Sequence, residues 1–443
     1  MKRFDLVRYP WLRSLLINPW PQLLLRVITL SGLIFTILTG FLGTVVGSHN
    51  FTIIIVWIAW WTLLKLFFIP FGGRSWCSIC PIPMPGDWLQ QGGIIEKTGN
   101  RGIGLGKKWP GWLRGNWIQA GGFLIIGLFS AVTLTSTRVT AWVLLGVLFL
   151  ALISSLVFER RAFCNHLCPI GGFTGLYAQA APIELRIVDK EICRKHPEKT
   201  CYHNCPWGVY PVALKTNTNC GLCMECLRVC PHDNIAVNLR PFGSDFDPGI
   251  KYRLDEVFLG LVMLGSVLVN SAIFLGPWGE LKSAAYEIGS LPWLVYGAGM
   301  FFVTLVVLPG LYFLGIWASQ KLSGDPIALR AAVVRDSQFL FPLGLMAWVA
   351  FTISFALAKY FFIFQVISDP FGWGWNLFNL AQVDLNLDTS TFSSVMQGIV
   401  LLVGLYWATR VVSRSYKTSL TKALPLIGFC FIFTLTMSWL LLG

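Results

Sequence analysis

The sequence predicts an α-helical polytopic membrane protein interrupted by one small, cysteine-rich α+β domain. Three observations carry that class. The 443 residues are 55% hydrophobic and only 12% charged, with mean hydropathy +0.64, a composition of membrane proteins rather than of large soluble domains. Apolar runs long enough to span a bilayer lie near 22–46, 52–70, 118–136, 140–158, 256–276, 293–317, 338–364, 395–412 and 423–442, about nine helices in all. Between the fourth and the fifth run sits a polar segment that holds seven of the twelve cysteines, Cys193 to Cys230.

From the N-terminus, Lys2, Arg3, Arg8 and Arg13 precede an apolar run long enough to span, and no small-residue cleavage site follows it. That stretch reads as a first span, not as a cleaved signal peptide. With the N-terminus placed inside, the inner segments carry thirty Lys and Arg. The outer loops carry two, Arg138 and Lys282, and Lys65 and Lys359 fall within spans. This asymmetry predicts an inner-membrane protein with a cytoplasmic N-terminus and cysteine-rich domain and an external C-terminus. It also accounts for the net charge of +13 without a nucleic-acid partner. Twenty tryptophans and 33 phenylalanines suit helices anchored at the interfaces.

Residues 1–181 read as a four-helix unit built from a repeat. Two spans lead to Arg74-Ser-Trp-Cys77-Ser-Ile-Cys80-Pro81, and two more to Arg161-Ala-Phe-Cys164-Asn-His-Leu-Cys168-Pro169. Each copy is a helical hairpin ending in a Cys-Pro turn, and both face the same way because an even number of spans separates them. Packed around an axis along the membrane normal, the copies bring Cys77, Cys80, Cys164 and Cys168 together. Four thiolates in one small space repel without a cation, so these residues are a candidate third iron–sulfur centre. Plain structural turns with buried thiols are the alternative.

Residues 182–250 form the inserted domain. Cys220-Gly-Leu-Cys223-Met-Glu-Cys226-Leu-Arg-Val-Cys230-Pro231 fits C-x2-C-x2-C-x3-C-P, the run in which three thiolates wrap one [4Fe–4S] cube and the fourth crosses to another. Upstream, Cys193 is followed by Cys201-Tyr-His-Asn-Cys205-Pro206. The pairing that follows puts Cys205, Cys220, Cys223 and Cys226 on one cube. Cys193, Cys201 and Cys230 remain for a second, with Lys190 where a further cysteine belongs. His203, His196, a cysteine from elsewhere or a three-iron cluster would each close that site. Disulfides are disfavoured by the predicted cytoplasmic side. Residues 182–188 and 234–238 are β-prone runs flanking the loops, so the domain reads as a small two-cluster bacterial-ferredoxin-like fold.

Residues 251–443 read as a C-terminal membrane unit of about five helices. It holds one cysteine, Cys430, which reads as packing, and no histidine, so a bis-histidine haem is excluded there. Lys359 and Lys65 read as snorkelling side chains, with a polar group at a quinone or helix contact as the alternative. The loop 366–394 combines Trp373, Trp375 and Phe378 with Asp369, Asp384 and Asp388 and reads as an interfacial anchor, with docking of an external partner as the alternative. His166 and His232 read as polar flanks of their cysteine motifs.

Repeated hairpins ending in Cys-Pro motifs, followed by a two-cluster cytoplasmic segment, resemble the membrane-bound polyferredoxin family over about residues 20–240. The family's usual C-x3-C-P is matched by Cys164 to Pro169, whereas Cys77 to Pro81 has two intervening residues. Lys190 and the C-terminal spans also depart from it. The resemblance implies electron transfer at the inner membrane surface, often linked to quinol or a periplasmic reductase. The expected cofactors are two [4Fe–4S] clusters and the further centre, with a quinone as small-molecule partner. The expected role is an electron-transfer subunit of an oxidoreductase system, rather than a stand-alone enzyme, between a cytoplasmic or quinone-pool donor and a membrane or periplasmic acceptor. A basic domain face suits an acidic donor protein. The alternative is a copper reductase or maturation factor whose Cys-Pro thiols bind the metal. A redox sensor lacks a soluble output domain. No nucleotide, flavin or acid–base motif is evident.

Overall fold

The computed structural model describes residues 3–94, 102–196, 198–246, 250–324, 327–381, 390–416 and 420–443. Lys2, Lys97, Arg101 and Lys417 of the charge count, and Asp384 and Asp388 of the outer loop, lie outside the described residues. Among those described, eight helices are long and apolar enough to cross a membrane: Pro19–Leu42, Phe51–Gly72, Thr137–Val157, Leu254–Phe274, Leu291–Ser323, Leu329–Leu357, Ser390–Ser415 and Thr421–Leu442. The run expected at 118–136 differs. It forms a shorter helix, Trp117–Leu128, and then a single turn, Ser130–Thr133. The break falls at Phe129 (φ −97, ψ 11), outside helical geometry.

The chain divides into two compact units. The first comprises Met1–Ile37, Phe67–Gln119 and Trp142–Asp245. Its sheet has three antiparallel strands in the order β1-β3-β2: β1 (Phe4–Asp5), β2 (Ile183–Ile187) and β3 (Ile235–Leu239). β2 and β3 fall on the two β-prone runs, and Ile183 pairs with Leu239 at one end and Ile187 with Ile235 at the other. Leu185, Ile235 and Val237 of these strands pack with Leu222 and Leu227 into a small core, against which Cys220, Cys226 and Cys230 lie. Charges are buried beside it: Arg240 reaches Glu184 at 2.8 Å and also Asp245, and Arg186 reaches Glu184 at 3.3 Å. Ions so deeply buried persist only when paired, so the network fixes the end of β3 to the start of β2.

The second unit comprises Leu38–Leu66, Ala120–Ala141 and Phe246–Gly443. Its helices approach closely at small residues, as membrane helices do. A Cβ on Gly265 would lie 2.7 Å from Thr304, and one on Gly404 2.7 Å from Met346. Side chains also bond across helices: Trp348 Nε1 to the Met263 carbonyl at 3.2 Å, Gln397 Nε2 to that of Ala350 at 3.1 Å. Cys430 is buried among these helices.

Lys65 does not snorkel. Its side chain is 1% exposed, and Nζ lies 4.9 Å from the Trp61 ring, 5.0 Å from Trp348 and 5.3 Å from Phe351. Nζ has no hydrogen-bond partner among the described residues. The π-helical turn Leu64–Phe68 adds a residue to that turn and shifts the face Lys65 occupies. Lys359, by contrast, is exposed. Trp373 and Trp375 are exposed; Trp373 stacks on Phe371 at 4.4 Å and Trp375 meets it edge-on at 5.6 Å.

Candidate metal centres

All twelve cysteines carry free thiols. Eleven of them fall into three groups, all within the first unit.

The first group is built by a loop that turns back on itself. Leu222 (φ 49) and Met224 (φ 61) take left-handed conformations, which cost a non-glycine residue about 1–2 kcal/mol each and concentrate at functional sites. These turns carry Cys220 and Cys223 round to the short helix Glu225–Val229, which presents Cys226. Cys205 approaches from the end of the helix Thr200–Asn204. Cys205, Cys220, Cys223 and Cys226 line one cavity, shared with Trp207 and Leu214. Burial pushes the Cys223 thiol up to about 12, and the nearby Cys205 and Glu225 charges add to that. Burial likewise raises Cys226 and Cys220, with Arg186 and Arg74 opposing at Cys220.

One residue, Asn234, joins two sulfurs of the second group. Cys193 sits on the helix Lys190–Lys195, whose N-cap Asp189 accepts from Glu191 N at 2.8 Å. Asn234 Nδ2 donates to Cys193 Sγ at 3.2 Å and the Asn234 backbone N–H to Cys230 Sγ at 3.4 Å. Cys201 joins them: burial raises its thiol, and the charges of Cys230 and Cys193 add to the shift. The His196 ring lies 4.9 Å from that of His232, and its buried Nδ1 has no partner among the described residues. His203 packs against Tyr202 at 5.6 Å instead.

The third group brings the repeat copies together. Cys77 lies on the helix Ser75–Ile79, and Cys80 ends it. Cys164 lies in the π-helical turn Phe163–Leu167, and Cys168 caps the helix Pro169–Tyr177, its Sγ accepting from Gly171 N at 3.3 Å. Burial raises Cys80, Cys164 and Cys168, the last to about 11. Each is pushed further by charge on others of the four. Cys77 and Cys164 pack in one buried cluster with Cys168 against it, and Cys80 ends the helix that carries Cys77. Arg161 ties the copies: Nη1 donates to the Cys77 carbonyl at 2.6 Å, and Nε and Nη2 donate to Asp87 Oδ2 at 2.9 and 2.5 Å. Burial is the largest single influence and opposes the guanidinium's charge, but the Asp87 charge and hydrogen bond, with the charges of Cys164 and Cys223, together outweigh it and hold the group above its ordinary range.

Among the described residues, no three His, Cys, Asp or Glu converge on a point that a single ion would occupy. A cluster asks for less convergence, since each iron at a corner takes one thiolate. Paired thiols, N–H donors on sulfur and a cavity ringed by four cysteines are what an iron–sulfur cluster requires of a chain. Cys77, Cys164, Cys223 and Trp207 pack in one buried cluster, with Cys168 and Cys205 against it.

Four residues here carry roles that the sequence pattern did not mark. Trp207 announces itself only as the residue after Cys205-Pro206. Asn234 stands four residues past Cys230 and was visible only as the start of a β-prone run. Arg74 and Arg161 open the repeat, but nothing in the sequence said that both reach the Trp207 ring, at 4.3 and 5.7 Å. His166, expected at the interface, stacks on Trp109 at 4.9 Å.

A 4Fe-4S binding domain family matches residues 53–108 and 140–187, the two hairpin copies with their Cys-Pro motifs. The methylamine utilization ferredoxin-type protein MauN of Paracoccus denitrificans is 29% identical over 32% of this chain and 52% of its own length. The MauN of Methylobacillus flagellatus is 30% identical over 38% and 52%. The ferredoxin-type protein NapH of Haemophilus influenzae is 25% identical over 42% and 67%. The chain thus spans about half the length of the MauN relatives it matches. No solved structure matches. The resemblance to membrane polyferredoxins therefore holds, in a helical, multi-span chain with a 4Fe–4S ferredoxin-type region.

Proposed function

We propose that this protein is a membrane-bound iron–sulfur electron carrier. One observation carries the reading: Cys205, Cys220, Cys223 and Cys226, from two separate loops, ring a single cavity. These four would hold one [4Fe–4S] cluster. Cys193, Cys201 and Cys230 would hold a second, with Asn234 bonding two of the sulfurs. Cys77, Cys80, Cys164 and Cys168 would hold a third centre, a reading supported by the 4Fe-4S family match to both hairpins. Such groups supply one-electron reduction with little change of geometry. The chain's own part is to bury the thiols, to aim N–H donors at sulfur and to set the groups side by side.

The proposed division is a membrane unit at 1–181, a ferredoxin-like domain at 182–250 and a second membrane unit at 251–443. The thirty-to-two charge bias supports a cytoplasmic ferredoxin domain and an external 366–394 loop. Electrons would pass between a cytoplasmic or quinone-pool donor and a membrane or periplasmic acceptor.

Anaerobic purification with iron and sulfide counts and reduced EPR spectra tests the reading. Twelve irons are expected if all three centres are cubes, and fewer when Cys77 and Cys80 are both changed to serine. Protein without iron refutes the carrier role, and stoichiometric copper lost with Cys77 and Cys164 supports the maturation role instead. Orientation is tested by labelling from outside intact cells. A cysteine at Ser390 should react and one at Ser244 should not, and the reverse overturns the topology.

A further inference from the structure

We propose that Trp207 donates its indole N–H to a sulfur of the group held by Cys205, Cys220, Cys223 and Cys226, with Arg74 and Arg161 positioning the ring. The inference rests on the reading that this cavity holds an iron–sulfur cluster. Three observations carry it.

The first is the indole nitrogen itself. Trp207 is 4% exposed and lines the cavity with the four cysteines, yet Nε1 is buried with no hydrogen-bond partner among the described residues. A buried N–H without an acceptor is costly, and the cavity that the ring lines is where an acceptor would enter.

The second is how closely the cluster loop approaches. A Cβ on Gly221 would stand 2.0 Å from Nε1 and 2.4 Å from Cε2. Only glycine lets the backbone between Cys220 and Cys223 touch the indole edge. The turn that delivers the ring is equally tight: Gly208 N donates to the Cys205 carbonyl at 3.1 Å, with Gly208 at φ 66. The Trp207 carbonyl is held by Asn165 Nδ2 at 3.2 Å.

The third is the pair of arginines from the repeat. The Arg74 guanidinium carbon lies 4.3 Å from the ring centroid and that of Arg161 5.7 Å. Arg74 is fixed by Nη1 on the Thr218 carbonyl at 2.7 Å, and Arg161 by Asp87. Two cations on the π-system draw electron density from it, which makes the N–H a stronger donor and opposes loss of an electron from the ring. Trp207 therefore acts as a hydrogen-bond donor, not as a radical relay. A reduced cluster carries one more negative charge than an oxidised one, so the donor favours the reduced form and raises the reduction potential.

The test is Trp207→Phe, which keeps an aromatic ring and lacks the N–H. Iron content should equal that of the parent. In an EPR-monitored redox titration one signal should become about tenfold harder to reduce, a midpoint about 59 mV lower for one electron, while the others stay in place. Independently, reduced parent protein labelled with indole-15N should show a 15N coupling by pulsed EPR that Trp207→Phe lacks. Full iron with unmoved midpoints, or parent protein with clusters and no 15N coupling, overturns the proposal. If the variant loses iron, the parent's coupling alone decides. Parent protein without iron refutes the cluster reading instead, so the two failures are distinguishable.

Discussion

Replacing Asp87 with alanine should destabilise the protein more than removing Asp87 and Arg161 together. The Arg161 side chain is 1% exposed and that of Asp87 6%, and two guanidinium nitrogens bond the carboxylate. Without Asp87, a guanidinium that is 1% exposed has lost its partner, a loss of about 3–5 kcal/mol. In Asp87→Leu with Arg161→Met the charge is gone, and an apolar pair of similar volume is close to neutral. The double variant still orphans the Cys77 carbonyl, which Arg161 served at 2.6 Å, for about 1–3 kcal/mol. The double variant should therefore be about 2 kcal/mol more stable than Asp87→Ala, and the pair should show strong coupling in a double-mutant cycle. Unfolding of anaerobically purified protein in mixed micelles, followed by tryptophan fluorescence, measures this. A loss under about 1 kcal/mol for Asp87→Ala, or a double variant no better than the single, would refute the argument that the pair is a buried, closed unit.

Other outcomes follow from the same geometry. Cys223→Ala should abolish one [4Fe–4S] EPR signal and about a third of the iron, whereas Cys193→Ala should disturb a different signal. Loss of the same signal in both would mean that the crossed assignment is wrong. Asn234→Leu, which removes the donor to Cys193 Sγ but keeps the backbone donor to Cys230, should lower the second signal's midpoint and leave the others. Lys65→Met should keep or raise thermal stability, because it replaces a buried amine that has no hydrogen-bond partner with an apolar chain of similar length. A drop of more than about 2 kcal/mol would assign Lys65 a structural contact that the aromatic ring contacts do not explain.

Much of this was legible in the chain. The C-x2-C-x2-C-x3-C-P spacing places Cys220, Cys223 and Cys226 on one loop whatever surrounds it. The repeat 87 positions apart foretold that the Cys77 and Cys164 copies meet, because like hairpins pack alike. β2 and β3 lay on the runs with β-branched residues. Other features depend on contacts that no local pattern encodes. Lys65 is buried within a π-helical turn, and hydropathy counts residues without registering helical pitch. The short helix Trp117–Leu128 stops at one non-helical residue inside an unbroken apolar run. Trp207 and Asn234 matter through partners in distant loops, so spacing alone could not mark them.

The position of β1 bears on how the protein is made. Asp5 pairs with Asn238 and Phe4 with Leu239, so the first strand must wait for roughly 230 more residues before its partner exists. At 5–20 residues per second that wait is on the order of ten to fifty seconds, and the spans between them enter the bilayer meanwhile. The sheet is thus sealed only after every cysteine of the loops has been made, because β3 follows Cys230 in the chain. A bulky fusion placed directly ahead of Phe4 should hamper that last pairing and yield inserted but iron-poor protein.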